Sequence, residues 1–237
     1  MHIPKIKGII DRRILINFAV QAEALARFLP PPFRPQLING FGIAGICLIR
    51  LKNIRPAVLP IKRGIRSENG AHRIAVVWED KGELKHGVYI PRRDTSSWIN
   101  SISGGLVFPG LHHLSDFVVN EIGDNYSLRL INRDGTHLSI AAKETSAWTS
   151  QSIFDSLEEA STFFECGSIG YSPAGKKYHG LELRTKNWEV SNLAVTQVES
   201  SFFKDTEIFP EGTVRFDNAL LMKNIEHEWI GLQNLRV

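Results

Sequence analysis

HRIAVVWEDKGELKHGVYI, residues 72–90, carries the pattern from which the fold class of this chain follows. An apolar, β-branched and aromatic run leads into Asp80-Lys81-Gly82, and a second run of the same kind follows at once. Such residues favour a pleated, half-buried surface, and a turn ending in Gly tolerates positive φ. The segment therefore predicts an antiparallel hairpin whose opposing residue numbers sum to roughly 162, with Trp78 near Leu84 and Ala75 near Gly87.

Similar runs recur on both sides: FGIAGICLIRL, SDFVVNEI, YSLRLI, HLSIAA, GLELRTKNWEV, AVTQVESSFF and TVRFDNALLM. Gly123-Asp124-Asn125 and Asp134-Gly135 supply further turns. A doubly wound fold would need a helix after nearly every strand, so the pattern predicts a mostly β (α+β) protein built on a large curved antiparallel sheet or barrel. Two or three helices are expected at its periphery. One lies in VQAEALARFLPPPF and stops at Pro30–Pro32; another lies in SLEEASTFFECG, capped by Ser156 with Glu159, with Ala160, Phe163 and Phe164 as its buried stripe. A third, shorter helix is expected from Asp94, with Trp98, Ile99 and Ile102 inward. No repeat or flexible linker divides the chain, so residues 1–237 are read as a single domain.

Composition narrows the function classes. A 43% hydrophobic and 22% charged chain is an ordinary globular one, and no apolar run approaches the ~18 residues of a membrane span. The N-terminal apolar stretches are broken by Lys7, Asp11, Arg12 and Arg13, which is unlike a signal peptide, so a cytoplasmic location is expected. Cys47 and Cys166 form no CxxC pair and read as small buried hydrophobes rather than metal or redox ligands. A net charge of +3 does not call for nucleic acid. Between Arg50 and Ser67 lie six cations and no acid, without interleaved aromatic residues: a solvated loop, or a rim that steers anions.

The candidate chemistry sits at the far end of the hairpin. Extending the ladder brings Glu68 opposite Arg93 and Asp94, within the uncertainty of a bulge invited by Gly70 or Gly87. These charges either pair across strands or form a site, in which an arginine fork grips a carboxylate and a desolvated glutamate moves a proton.

Here a resemblance enters. FAVQAEALARFLPPPFRPQLINGFGIAGICLIRL, the Ser67-Glu68-Asn69 segment and GVYIPRRDTSS are similar to the uncharacterised DUF2071 (YqjF-like) family, grouped with the acetoacetate decarboxylase-like superfamily. SLEEASTFFECGSIGYS, LELRTKNWEV, VESSFF and IEHEW extend it over most of the chain. The resemblance implies a mostly antiparallel β-barrel with peripheral helices. It also implies a departure: the decarboxylases carry a Schiff-base lysine where this chain reads Ile90-Pro91-Arg92-Arg93, and a guanidinium stays protonated and does not condense with a ketone. Glu68 resembles the glutamate that lines the family pocket.

Other candidates are weaker. Lys176-Lys177 lies in a Gly/Pro/Ser turn and reads as exposed. His112 and His113 are adjacent and so point to opposite faces of a strand, and Glu226, His227 and Glu228 form no complete ligand set, so no metal site is expected. Ser172 in GYSPAG misses the spacing of a nucleophile elbow, and GFGIAG at 40–45 lacks the helix of a dinucleotide fingerprint.

The reading is thus a barrel that binds a small carboxylate or oxoacid-type anionic metabolite. Glu68 and Arg92 are the catalytic candidates, and Arg92, Arg93 and Asp94 the substrate-binding ones. No cofactor, nucleic acid or membrane partner is expected, and a homo-oligomer is compatible with the chain. Non-covalent acid/base lyase or isomerase chemistry is the first expectation, and a non-catalytic binding or regulatory protein the alternative.

Overall fold

The computed structural model describes residues 5–58, 64–98, 110–149 and 151–236. The chain begins with strand β1 (Ile6–Gln21), helix α1 (Ala22–Phe28), short strands β2 (Arg34–Pro35) and β3 (Leu37–Ile38), then long strands β4 (Phe41–Pro56), β5 (Ile65–Asp80) and β6 (Glu83–Thr95). Next come β7 (His112–Leu114), β8 (Asp116–Ile122), β9 (Asn125–Ile131), β10 (His137–Thr145) and helix α2 (Leu157–Cys166). The chain ends with β11 (Ile169–Ala174), β12 (Lys177–Thr185), β13 (Ser191–Ser200), helix α3 (Ser201–Lys204), β14 (Val214–Gly231) and β15 (Leu235–Arg236). Strand accounts for 63% and helix for 10% of the described residues, so the protein is mostly β.

The expected all-antiparallel sheet is corrected: β6 pairs in parallel with β7 and with β11. Only neighbours joined by a tight turn must run antiparallel, and β6 is joined to neither of these by one. The hydrogen-bonded path runs β12–β11–β6–β5–β4–β1–β14, and β12 also pairs with β14, so these seven strands form a closed circuit. Strands β13, β10, β9 and β8 continue from β14 as a flap.

Alternation explains why the long strands read as continuous apolar runs. On β1, Ile14, Ile16, Phe18 and Val20 join a core shared with Leu128 and Leu130 of β9, whereas Leu15 and Ala19 join a second core with Ile43, Cys47 and Ala75. Both faces of these strands are buried, so both sets of side chains must be apolar. Helix α2 covers the second core with Ala160 and Phe164, and the Phe154 ring packs at a tilt against Phe163 and Phe164. Each such ring contributes about 2–3 kcal/mol of burial. Ser156 accepts a hydrogen bond from the Glu159 amide at 3.1 Å, and Gly167 follows the helix as its cap.

The hairpin of residues 72–90 forms with Lys81 and Gly82 at φ 53° and 81°, a two-residue turn between Asp80 and Glu83. Its register is one residue from the expected one, with Trp78 opposite Lys85 and Ala75 opposite Val88. Four other expectations change. Ser201–Lys204 is a helical turn rather than strand, and residues 186–190 of the expected GLELRTKNWEV strand lie beyond β12. Cys166 is exposed, although Cys47 is buried. Asp94 belongs to β6, and the helix expected after it lies largely outside the described residues. Among the described residues, no helix is long and apolar enough to cross a membrane, and no group of three or more His, Cys, Asp or Glu could hold a metal ion.

Candidate functional site

The sequence pointed to the end of the β5–β6 hairpin, and there the ladder shifts. His72 pairs with Arg92 and Ile74 with Tyr89, so Ile90 and Pro91 together oppose the single residue Arg73. Proline has no N–H to give the ladder and is accommodated at such a bulge. The extra residue reverses the alternation: Val88, Ile90 and then Arg93, not Arg92, turn toward the inside of the closed circuit.

That inside contains a cavity of about 110 Å³. Ile49, Leu51, Val88, Ile90, Leu181, Leu183 and Trp229 form much of its wall, and three guanidinium-bearing residues, Arg13, Arg73 and Arg93, enter it from β1, β5 and β6. None of the three makes an ion pair among the described residues. Arg93 donates from Nε to Ser172 Oγ at 3.2 Å. Arg73 donates from Nη2 to Asn17 Oδ1 and lies over the Phe164 ring at 4.8 Å, and its buried Nε has no partner. Arg13 donates from Nε to Cys47 Sγ at 3.1 Å and lies over Trp188. Burial pushes both Arg73 and Arg93 down to about 10, a direction that reports charge held away from water without a counter-ion; both remain protonated at neutral pH.

Gly110 closes over this corner. Its φ is +90°, and a Cβ there would stand 2.8 Å from Ser172 Cβ and 3.8 Å from Arg93 Nε. Only glycine allows both that backbone conformation and that approach.

The structure separates the residues that the sequence had grouped. Glu68 is not among the cavity's lining residues; it accepts from Arg12 Nη2 at 2.6 Å and from Arg50 Nε at 2.5 Å, in a network completed by Glu121. Arg12, adjacent to Arg13, points to that opposite face and is almost wholly buried. The predicted facing of Glu68 with Arg93 and Asp94 is thus corrected: Asp94 pairs with Gly70 and Arg93 with Ala71, and Glu68 lies opposite Arg50 of β4.

Arg92 is likewise outside the cavity. It donates from Nε and Nη2 to Asp94 and from Nη1 to Asp134 at 2.6 Å. Asp94 borders the cavity, but its carboxylate is taken up by Arg92 and by Ser115 Oγ at 2.8 Å. Of the two adjacent histidines, His112 lines the cavity beside Arg93, its partner in the β6–β7 ladder, while His113 faces Asp134 at 3.8 Å. His227 is buried against Trp229, and Lys176 and Lys177 are exposed.

Arg13 and Arg73 had escaped the sequence reading. Their signal was modest: an arginine inside an apolar strand, DRRIL and HRIAVV, at the parity that elsewhere carries core residues.

The family model of DUF2071, an uncharacterized conserved protein family (COG2071), matches residues 10–219. The chain belongs to this family. None of the curated proteins matches it. Among solved structures, an acetoacetate decarboxylase-like enzyme from Sphingomonas wittichii RW1 superposes with a TM-score of 0.63 at 10% identity, covering 100% of this chain and 94% of that one. Acetoacetate decarboxylase from Legionella pneumophila gives 0.63 at 11% identity, covering 98% and 88%. The enduracididine biosynthesis enzyme MppR, solved in complex with pyruvate, gives 0.51 at 11%, covering 100% and 91%. At these identities the likeness is one of fold: this DUF2071 protein shares the acetoacetate decarboxylase-like architecture.

Proposed function

We propose that the closed circuit acts as a small β-barrel whose cavity binds a carboxylate or oxoacid-type metabolite. The observation that carries this reading is the set of three guanidiniums, Arg13, Arg73 and Arg93, at one apolar-walled cavity without a carboxylate of their own. Burying an unpaired charge costs several kcal/mol, and a fold retains such groups where an anion offsets them. The pyruvate held by the similarly folded MppR supports an anion of this kind. Of the two arginines expected to hold the anion, Arg93 is the anchor in this reading, with Ser172 fixing its orientation. Glu68, Arg92 and Asp94 hold the fold around the site.

Among the described residues no lysine lines the cavity, which supports chemistry without an imine. His112 stands at the wall beside Arg93, where it can carry a proton to or from a bound oxoacid. A non-catalytic binding protein is the second reading. It is favoured by the engagement of Glu68 with Arg12 and Arg50, which removes the expected carboxylate base from the cavity.

Calorimetric titration with 2-oxoacids, 3-oxoacids and saturated carboxylates tests binding, and product analysis by NMR separates the two readings. Binding that is lost in Arg93→Met supports the proposal, and affinity unchanged in that variant overturns it. A borohydride-trapped lysine adduct would overturn the non-covalent chemistry.

A further inference from the structure

We infer that the ligand of this cavity carries two anionic groups, a small dicarboxylate gripped by Arg93 at one end and by Arg73 with Arg13 at the other. This deepens the proposed function and rests on it.

The first argument is the inventory of unused donors. Arg93 gives only Nε to the protein, so among the described residues both of its terminal nitrogens are unpartnered, a fork shaped for one carboxylate. Arg73 is 5% exposed and gives only Nη2 to Asn17; its Nε is buried without a partner and Nη1 has none among the described residues. One carboxylate would have to serve all four of these nitrogens with its two oxygens, whereas two carboxylates give each guanidinium its own partner. Ala71 is the ladder partner of Arg93, so Arg73, two residues along β5, is a diagonal neighbour about 7–8 Å away at the backbone. Two carboxylates linked by a short carbon chain match that placement.

The second argument is charge. Arg13 stands close enough to Arg73 to disfavour its charged form, and it also borders the adjoining groove that contains Glu165, Glu182 and Arg184. Glu182 is already paired with Arg184. Asp94, the carboxylate residue of the cavity wall, is committed to Arg92 and Ser115. A monoanion would offset one of three guanidiniums and leave two repelling each other in an apolar wall; a dianion leaves one, at the border of the groove. A cavity of about 110 Å³ suits a small metabolite and lies below the range of drug-sized ligands.

The test compares succinate, glutarate and 2-oxoglutarate with butyrate, valerate and 2-oxovalerate by titration calorimetry at constant pH and ionic strength. Each dicarboxylate should bind at least tenfold more tightly than its monocarboxylate counterpart. Arg73→Met should bring that ratio close to one, whereas Arg93→Met should weaken both classes. Arg13→Met, from a different strand, should also reduce the ratio and serves if Arg73→Met fails to fold. Binding of monocarboxylates with no dicarboxylate advantage, or a ratio that survives both Arg73→Met and Arg13→Met, overturns this inference and leaves the proposed function standing. Binding of neither class overturns both.

Discussion

Replacing Arg93 by methionine should make the ligand-free protein more stable. Burial lowers the Arg93 pKa from the ordinary arginine range to about 10, which corresponds to about 3 kcal/mol against the charged form at neutral pH. The guanidinium recovers roughly 1 kcal/mol through its 3.2 Å hydrogen bond to Ser172. Methionine removes both terms and keeps an unbranched side chain against Val88 and Ile90, for a net gain of about 1–2 kcal/mol and roughly 3–6 °C in Tm. Urea unfolding followed by tryptophan fluorescence, at pH 7 in a buffer free of carboxylate and phosphate, measures it. The sign of the pH dependence is fixed. Burial holds the native-state pKa below the unfolded one, so the wild-type penalty is complete below pH 10 and fades above it. The variant's advantage should therefore shrink above pH 10, and saturating anion should reverse the order, because only the wild type gains binding free energy. A variant destabilised by 1 kcal/mol or more at pH 7 would show that Arg93 already has its counter-charge and would refute the argument.

Other consequences follow from the same contacts. Glu68→Gln should lower stability by about 1–3 kcal/mol, because the buried Arg12 loses a charged partner, yet leave anion affinity within twofold; a tenfold loss by calorimetry would return Glu68 to the site. Burial pushes the His72 and His227 imidazoles down to about 4, so they stay neutral while the unfolded chain protonates near 6.5; stability should fall between pH 6.5 and 4 by about 3 kcal/mol per histidine, and His227→Phe should flatten part of that slope in acid titrations. Ser156→Ala removes the α2 N-cap and should cost about 1 kcal/mol in chemical denaturation, while Ser156→Asp should restore it.

Much of the architecture is legible locally. The Lys81-Gly82 turn accepts positive φ by its residue types, the Ser156 cap by its spacing from Glu159, and the doubly buried strands by runs such as FGIAGICLIRL. The candidate site was legible only as a neighbourhood. Counting alternate residues back from Arg92 puts it on one face with Ile90 and Val88, and counting the ladder from the turn puts Glu68 across from Arg93. Both counts fail at one bulge, where Pro91 inserts an extra residue against Arg73 and hands the inward place to Arg93.

Local sequence was enough to assign most of the long strands and the helices near 22–28 and 157–166, because turn chemistry, capping and period-two burial act over a few residues. It also determined that Ile90-Pro91-Arg92-Arg93 has no amine to form an imine. Only the tertiary structure decided which charges meet. Arg13, Arg73 and Arg93 lie on three strands, and their convergence depends on the closure of β12 onto β14 and on a one-residue shift in register. Each of these reverses or joins faces that no local pattern distinguishes, because a side chain's direction in a sheet is set by parity and its neighbours by pairing.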